Sequence, residues 1–356
     1  MTVTGERPHR QGAARRTRSI LAWAAVFVLA ALGALAPLPA ARVEQWYSLT
    51  FYPPLQRVLT SGSNLVPFAL FDVMWIGAIA AAAVAARRRI IAAGWKKGTL
   101  RFAGDLTRAA AVVYLVFLVT WGLNYRRVPM FEKVAFDRTR VNRAADMALS
   151  MWAVRELNAN YADAHAEPVQ LDQLHAWLGD VLRALRSPLI VPARPKETLL
   201  GWYFHQTQTV GMTNPFLLET LLSPDVFEIE RPFVIAHEWA HLAGYADESE
   251  ANFVAFLTCR RGNAAARYSA AIVIFAYTTP PVLPPNHGLD LGPRTDLFAM
   301  QRRYANTSVT LRLAAKEGYD KYLKANRVEK GIESYDAVIQ LILGTQFDAK
   351  GNPILR

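Results

Sequence analysis

Three long stretches without charge dominate the first third of the chain. Residues 19–41 and 109–125 contain no charged side chain, and residues 65–86 contain a single aspartate. A helix of about 20 apolar residues crosses the hydrocarbon core of a bilayer. The first two stretches are long enough for this, and the third is near the lower limit but ends with Trp121 and Tyr125, which are typical interface anchors. The sequence therefore predicts three N-terminal membrane-spanning helices.

Two features qualify this prediction. An alternative for the first stretch is a cleaved signal peptide, because Arg15 and Arg16 precede it and the small-residue sequence ALAPLPAA ends it. Its apolar run exceeds the roughly 7 to 15 residues of such a signal, which favours a span. The aspartate of the second stretch, Asp72, is costly in lipid and is expected to face a helix partner.

The distribution of lysine and arginine predicts the orientation of these helices. Five arginines precede the first stretch, two lie in residues 42–64, and seven Lys or Arg lie in residues 87–108. Cytoplasmic loops carry the excess of cations. We therefore expect a cytoplasmic basic tail (1–18), a three-helix membrane domain (19–127) and an extracytoplasmic domain (128–356), which in a bacterium faces the periplasm from the inner membrane.

The net charge of +11 belongs to the membrane part. Residues 1–127 hold 16 cations and 4 acids, while residues 128–356 hold 24 cations and 25 acids. The basicity thus indicates topology and contact with anionic lipid headgroups, not nucleic-acid binding, and no nucleic-acid motif is present. The single cysteine, Cys259, excludes an internal disulfide and is predicted to be a small buried residue, so the outer domain relies on its core.

The sequence IAHEWAHLAGYADESEANF at 235–253 contains a spacing typical of a zinc site. His237 and His241 are four residues apart, so on a helix both imidazoles project from one face and can bind one metal ion. Glu238 lies beside them without being a ligand. Zinc with three protein ligands keeps a position for water, and a nearby carboxylate can accept the proton as that water attacks a carbonyl. The motif predicts a zinc peptidase with Glu238 as its catalytic residue.

Three acids after this motif are candidates for the third ligand. Gly244 can end the helix in a left-handed cap and turn the chain back, and Asp247, Glu248 and Glu250 follow. Glu248 is favoured because SEANFVAFLTC predicts a second helix, which would present Glu248 near its start and Asn252 one turn later to hydrogen-bond a ligand. Acids in the first turn of a helix are also stabilising there, so Asp247 and Glu250 stay open as alternatives.

The remaining patterns predict a mainly α-helical outer domain. Helical periodicity covers residues 141–162, 171–186 and 309–343, the last with a break near Gly331. The apolar residues 269–279 are too few to span a bilayer and are predicted to form a core helix, with a membrane-dipping segment as the alternative.

A small sheet is predicted upstream of the metal motif. Residues 202–213, WYFHQTQTVGMT, are rich in aromatic and β-branched side chains and predict a strand. This strand can also bind an extended substrate through its main chain, and Tyr203 and His205 are candidates to stabilise an oxyanion. Proline-rich residues 187–195 and 280–285 predict loops. The expected fold of the outer domain is therefore an α-rich, zincin-like α+β domain.

Three separated segments resemble one family. WGLNYRR at 121–127, HEWAHLAGYADESEANF at 237–253 and YDKYLKANRVEKGIESYDAVIQLIL at 319–343 are similar to domain of unknown function 3810. The resemblance implies a bacterial membrane protein with an HExxH motif. It also implies an acid at Glu248 or Glu250 as ligand, since the family does not demand one at Asp247.

A second likeness concerns the pattern E-x-x-A-N that starts at Glu248. It is similar to the E-x-x-A-D element of membrane zinc peptidases of the prenyl-protein and heat-shock type, with Asn252 in place of the acid.

These patterns favour a membrane-anchored zinc peptidase that hydrolyses a peptide or protein substrate at the bilayer, with His237, His241 and Glu248 as ligands and Glu238 as general base and then acid. Two alternatives remain. One is a non-catalytic membrane scaffold that binds peptides or proteins of the cell envelope, and the other is a zinc amidase acting on cell-wall peptides. Neither the substrate nor the oligomeric state follows from the sequence.

Overall fold

The first predicted span forms a helix, α1 (Arg7–Leu35). The computed structural model describes residues 7–278, 288–326 and 337–356, with side chains from residue 18. Within these residues, two helices are long and apolar enough to cross a membrane, α1 and the 51-residue helix that begins at Leu70. Three separate membrane helices are therefore not confirmed, because the second and third predicted stretches belong to one helical element.

This long helix turns back on itself at Gly94. Gly94 has φ 74° and ψ 168°, a backbone conformation that glycine can adopt because it lacks Cβ. Arg89 Nε lies 2.7 Å from Asp105 Oδ2, although 16 residues of straight helix would separate these positions by about 24 Å. The backbones also approach closely, since a Cβ on Gly98 would be 2.6 Å from Ile90 Cα. The element is thus a helical hairpin.

The chain forms two compact units. The first comprises residues 1–38 and 73–121, namely α1 and the hairpin. Within it, a Cβ on Gly33 would lie 2.7 Å from Leu118 Cδ1, so α1 packs closely against the second limb of the hairpin. The second unit comprises residues 39–72 together with 122–356. Residues 39–72, which the sequence analysis placed in the membrane domain, therefore pack with the C-terminal part.

Helices account for 71% of the described residues, and the second unit also contains a small three-stranded sheet. The α-helices after α1 are α2 (Ala40–Arg42), α3 (Tyr52–Asn64), the hairpin α4 (Leu70–Thr120), α5 (Met130–Lys133), α6 (Arg143–Ala166), α7 (Leu171–Ala184), α8 (Gly201–Thr207), α9 (Arg231–Leu242), α10 (Glu248–Arg260), α11 (Ala264–Tyr277), α12 (Leu291–Arg303), α13 (Val309–Ala325) and α14 (Ala337–Gly344). A π-helix (Val43–Phe51) and two 3₁₀ helices (Gly122–Arg126 and Arg138–Arg140) complete the helical elements of the described residues.

Most helix predictions are confirmed. The periodic segments correspond to α6, α7, α13 and α14, and the predicted break near Gly331 lies outside the described residues. Helix α11 is buried along most of its length, as expected for a core helix. Residues 187–194 have no regular structure, whereas the second proline-rich loop, 280–285, lies outside the described residues. Cys259 is buried.

The strand predicted at 202–213 is wrong for its first half. Residues 201–207 form α8, which ends at Gln208 in a left-handed conformation. Phe204 is fully buried in a cluster with Ala69 and Leu221. Tertiary packing thus outweighs the strand preference of the aromatic residues. The second half is confirmed, because residues 211–214 do form a strand.

The sheet contains β1 (Pro195–Glu197), β2 (Gly211–Asn214) and β3 (Glu219–Leu222) in the order β1-β3-β2. β1 pairs with β3 in parallel, and β2 pairs with β3 antiparallel, with Gly211 opposite Leu222. β2 is therefore an edge strand.

Polar contacts within the second unit fix the start of α4. Asp72 accepts hydrogen bonds from the Thr198 hydroxyl (2.6 Å) and the Leu199 N–H (2.9 Å). Glu219 accepts from the first two backbone N–H groups of α4, at 2.9 and 3.0 Å. A helix partner was expected for Asp72, whereas these two partners lie in the segment after β1. They hydrogen-bond the carboxylate at the point where the apolar limb begins.

Candidate metal centre

Helix α9 carries the two predicted histidine ligands on one face. Pro232 lies in its first turn, where a residue without an N–H loses no hydrogen bond of the helix. The imidazole rings of His237 and His241 lie 4.6 Å apart between centroids. The helix ends at Leu242, and Gly244 follows with φ 84°. The left-handed glycine turns the chain back, as predicted.

The start of α10 brings Glu248 to the histidines. Its Oε2 lies 3.1 Å from His237 Nε2 and 3.6 Å from His241 Nε2. One possible ligand atom from each of the three residues lies within 4.8 Å of the others. Two ligand atoms on a tetrahedral zinc at 2.0–2.1 Å would be about 3.4 Å apart. The donor set and its spacing therefore fit zinc.

The other two candidate acids point elsewhere. Asp247 is the N-cap of α10 and accepts hydrogen bonds from the backbone N–H groups of Ser249 and Glu250. The Glu250 side chain accepts a 2.6 Å hydrogen bond from Met130 N–H, and burial raises its pKa to about 7. Of the three acids that follow Gly244, only Glu248 belongs to the cluster.

Hydrogen bonds orient both imidazoles. His237 Nδ1 lies 2.8 Å from the Asn252 side-chain oxygen, and His241 Nδ1 lies 2.7 Å from the Tyr245 carbonyl. Each acceptor favours a proton on Nδ1, so that Nε2 is the nitrogen of the neutral imidazole that can act as a metal ligand. Asn252 thus supports His237 as an acid would, through its amide oxygen.

The Glu248 carboxylate attracts a positive charge to the cluster. Burial alone would raise the pKa of Glu248, but the facing His241 and His237 hold it well below its usual range. Burial likewise opposes a charge on His241, yet the Glu248 carboxylate raises the pKa of that imidazole to about 9. The carboxylate is therefore ionised and available as a ligand.

Glu238, the predicted catalytic residue, is buried beside the cluster and is not one of its members. The Thr213 hydroxyl on β2 donates to its Oε2 at 2.8 Å. A Cβ on Gly211 would lie 2.6 Å from its Oε1, so the edge strand approaches this carboxylate closely. Burial raises the pKa of Glu238, against the lowering effect of the two histidines. A role for Thr213 beside Glu238 was not predicted from the sequence.

A second site residue that was not predicted from the sequence is Tyr319 on α13. Its hydroxyl donates to Glu248 Oε1, while Oε2 of the same carboxylate faces the histidines. The donor thus orients the oxygen that faces the metal position. The available signal was that Tyr319 begins the third segment of the family resemblance. The two predicted oxyanion residues have other contacts: His205 binds Asp225 at 2.7 Å, and Tyr203 lines a surface cavity.

Residues far away in sequence hold the turn between α9 and α10. Arg127 Nη1 donates to the Gly244 carbonyl at 2.9 Å. Its other nitrogens bind the two carboxylate oxygens of Glu44, each at 2.8 Å, and its guanidinium lies over the Tyr245 ring. This pair fixes the turn whose Tyr245 carbonyl orients His241.

Tyr319→Phe is expected to weaken zinc binding about 10- to 100-fold, the usual cost of removing a hydrogen bond to a metal ligand. Titration with zinc against a competing chelator measures the affinity. Tyr322→Phe is the matched control, because the Tyr322 ring stacks on Tyr319 and its hydroxyl is hydrogen-bonded to Tyr125. Equal effects of the two substitutions would contradict the role of Tyr319.

Comparison with known families identifies the chain. The family model described as "Protein of unknown function (DUF3810)" matches residues 47–343, which include the whole metal cluster and Tyr319. No curated protein and no solved structure matches the chain. The family match covers most of the sequence and confirms the resemblance of its three segments. The chain therefore belongs to the DUF3810 family.

Proposed function

We propose that the protein is a membrane-anchored zinc peptidase, with His237, His241 and Glu248 as ligands. The observation that carries the proposal is the convergence of three oriented donors at zinc-like spacing. When bound, zinc would acidify a water molecule and polarise the substrate carbonyl.

The chain itself supplies the proton transfers. Glu238 stands beside the cluster with its carboxylate held by Thr213, so it can accept the proton of the attacking water at an oxygen. It then returns this proton to the leaving amine. Its raised pKa brings the carboxylate closer to the working pH of such a shuttle.

The edge strand β2 supports a peptide as the substrate. Ser223 N–H donates to the Val210 carbonyl at 2.9 Å, and paired residues alternate along an antiparallel ladder. The peptide groups of Gly211 and Thr213 therefore face away from β3. An extended substrate can add to such an edge through its main chain. Both residues also contact Glu238, which would place the bound peptide beside the proposed base.

Three membrane crossings are part of the proposal, and the division into units supports them. Residues 39–72 and 122–356 form one unit and must lie on the same side of a membrane. The hairpin between them then crosses an even number of times, twice if it reverses at Gly94. Its turn lies among the seven Lys or Arg of residues 87–108 and would be cytoplasmic. Arg127 follows the third predicted stretch, but it is buried in an ion pair with Glu44. It is therefore not one of the exposed cations from which the orientation is predicted.

The surface near the start of α4 also suits a bilayer. Leu199, whose N–H binds Asp72, is 73% exposed, and Trp202, three residues later, is 70% exposed. Leu65 and Phe68, just before α4, are exposed as well. Exposed apolar and tryptophan side chains at the root of a spanning helix are typical of the membrane interface.

Labelling of single cysteines is expected to show this topology. Cys259 is buried, so an impermeant maleimide should not react with the parent protein in intact cells. Ser61→Cys and Gln173→Cys, both exposed and both in the second unit, are expected to react from outside. Lys97→Cys, near the hairpin turn, should react only after permeabilisation. Opposite labelling of Lys97→Cys would contradict the proposed crossings.

Hydrolysis of a broad peptide mixture by the zinc-loaded, full-length protein in detergent tests the activity. New N-termini that require zinc are the expected result, and mass spectrometry detects them. Cell-wall peptides belong in the same mixture, because their selective cleavage would favour the amidase. Zinc binding without any cleavage would favour the scaffold and contradict the peptidase.

A further inference from the structure

A surface cavity of about 460 Å³ lies next to the metal cluster. Its wall is one stripe of α13 (Leu311, Ala314, Ala315, Gly318, Tyr319 and Tyr322) and the ring of Tyr203 from α8. The α13 residues recur at the three- and four-residue spacing that places side chains on a single helix face. The charged residues of α13 lie off this stripe, so none of the lining residues carries a charge.

Tyr319 belongs to both the cavity and the metal cluster. Its ring lines the cavity, and its hydroxyl donates to Glu248. The cavity is therefore separated from a zinc ligand by a single phenol ring. Consecutive Cα atoms of a peptide are about 3.8 Å apart. A side chain next to the scissile bond of a substrate at the metal is therefore the candidate occupant of this cavity.

The helix face that lines the cavity is open to solvent and can be reached by a ligand. A Cβ on Gly318 would have no atom within 4 Å, and Ala314 is exposed. Leu323 is the one fully buried residue of α13, beyond the end of the stripe. Cavities that bind small ligands are usually about 300–1,000 Å³ and mainly apolar, and this cavity is of that size and character.

We infer that this cavity, called the α13 cavity below, binds a large apolar side chain next to the scissile bond and gives the enzyme its specificity. The inference rests on the proposed peptidase function. It defines the substrates as peptides with an aromatic or large aliphatic residue at the cleavage site. Acidic and basic side chains would lose their hydration there without gaining an ionic partner.

Peptide profiling with the full-length zinc protein tests the preference. Libraries vary the two residues that flank the cleaved bond, and kcat/KM is then measured for peptides that differ only at the selective position. We expect Phe or Leu to exceed Asp or Lys by about tenfold or more, within the range that apolar contacts in a pocket supply. Cleavage of peptides without such a preference would overturn the inference but not the peptidase. Failure to cleave any peptide would overturn both.

Variants that fill the α13 cavity test whether the apolar side chain of the substrate binds there. Gly318→Leu adds a side chain where the structure has open space, and leucine is a better helix former than glycine. The ratio of kcat/KM for the Phe peptide to that for the Ala peptide is expected to fall about tenfold or more, with a smaller fall for Gly318→Ala. Lys316→Leu, which faces the other side of α13, should leave this ratio as in the parent.

A second cavity-filling variant tests whether the effect of Gly318→Leu is only a local structural defect. Ala314→Leu narrows the α13 cavity from the preceding turn, and the same fall in the ratio is expected. Zinc content and thermal midpoint establish that each variant is folded. An unchanged ratio in folded, zinc-loaded Gly318→Leu and Ala314→Leu would show that the side chain binds elsewhere and would overturn the inference.

Discussion

Glu238→Gln is expected to retain zinc but lose peptide hydrolysis, by about 10²- to 10⁴-fold, the contribution of a general base. Glutamine can keep the hydrogen bond from Thr213 but cannot accept a proton at neutral pH. Because Glu238 is not one of the clustered donors, the zinc affinity should stay as in the parent. The paired measurements are kcat/KM on a cleaved peptide and zinc content by elemental analysis.

The matched control is Glu250→Gln. It makes the same change at another buried acid, on α10, whose side chain contacts Met130 N–H and not the cluster. Hydrolysis is expected to continue in this control. Parental activity in Glu238→Gln would show that another group accepts the proton, and equal loss in both variants would indicate a structural effect.

Glu248→Gln is expected to lose most of the bound zinc. The change removes the charged oxygen that faces both histidines but preserves the size of the side chain. The affinity should fall by more than the roughly 10- to 100-fold that follows the loss of a supporting hydrogen bond, and activity should fall with it. Competition against a chelator measures the affinity, and Glu250→Gln again serves as control. Full zinc binding by Glu248→Gln, or loss in Glu250→Gln, would contradict the assignment of Glu248.

The histidine pair could be predicted because its geometry is local. A four-residue spacing on a helix places His237 and His241 together regardless of the rest of the fold. The third position was less certain, since Asp247, Glu248 and Glu250 all follow the same turn. What separates them is the N-cap role of Asp247 and the contact of Glu250 with Met130, which is 120 residues away in sequence. Only the second of these depends on the tertiary fold.

Other parts of the site and fold could not be predicted for the same reason. Thr213 and Tyr319 reach Glu238 and Glu248 through packing of separate elements, and no local pattern records those contacts. The aromatic residues of α8 suggested a strand, but burial of Phe204 stabilises a helix. The predicted cytoplasmic loop at 87–108 is mostly helix, because arginine, lysine and alanine favour helix on both sides of Gly94.

The interruption of the second unit by the hairpin constrains the order of assembly. Tyr52, made before the hairpin, donates its hydroxyl to the carbonyl of Leu242, the last residue of α9. Glu44 likewise holds Arg127 against the turn after α9. Residues 39–72 can therefore make these contacts only after α9 and the turn at Gly244 have been synthesised. A fragment that starts at residue 128 would lack Glu44, Tyr52 and Arg127, so we expect the outer domain to need residues 39–72 for a stable turn after α9.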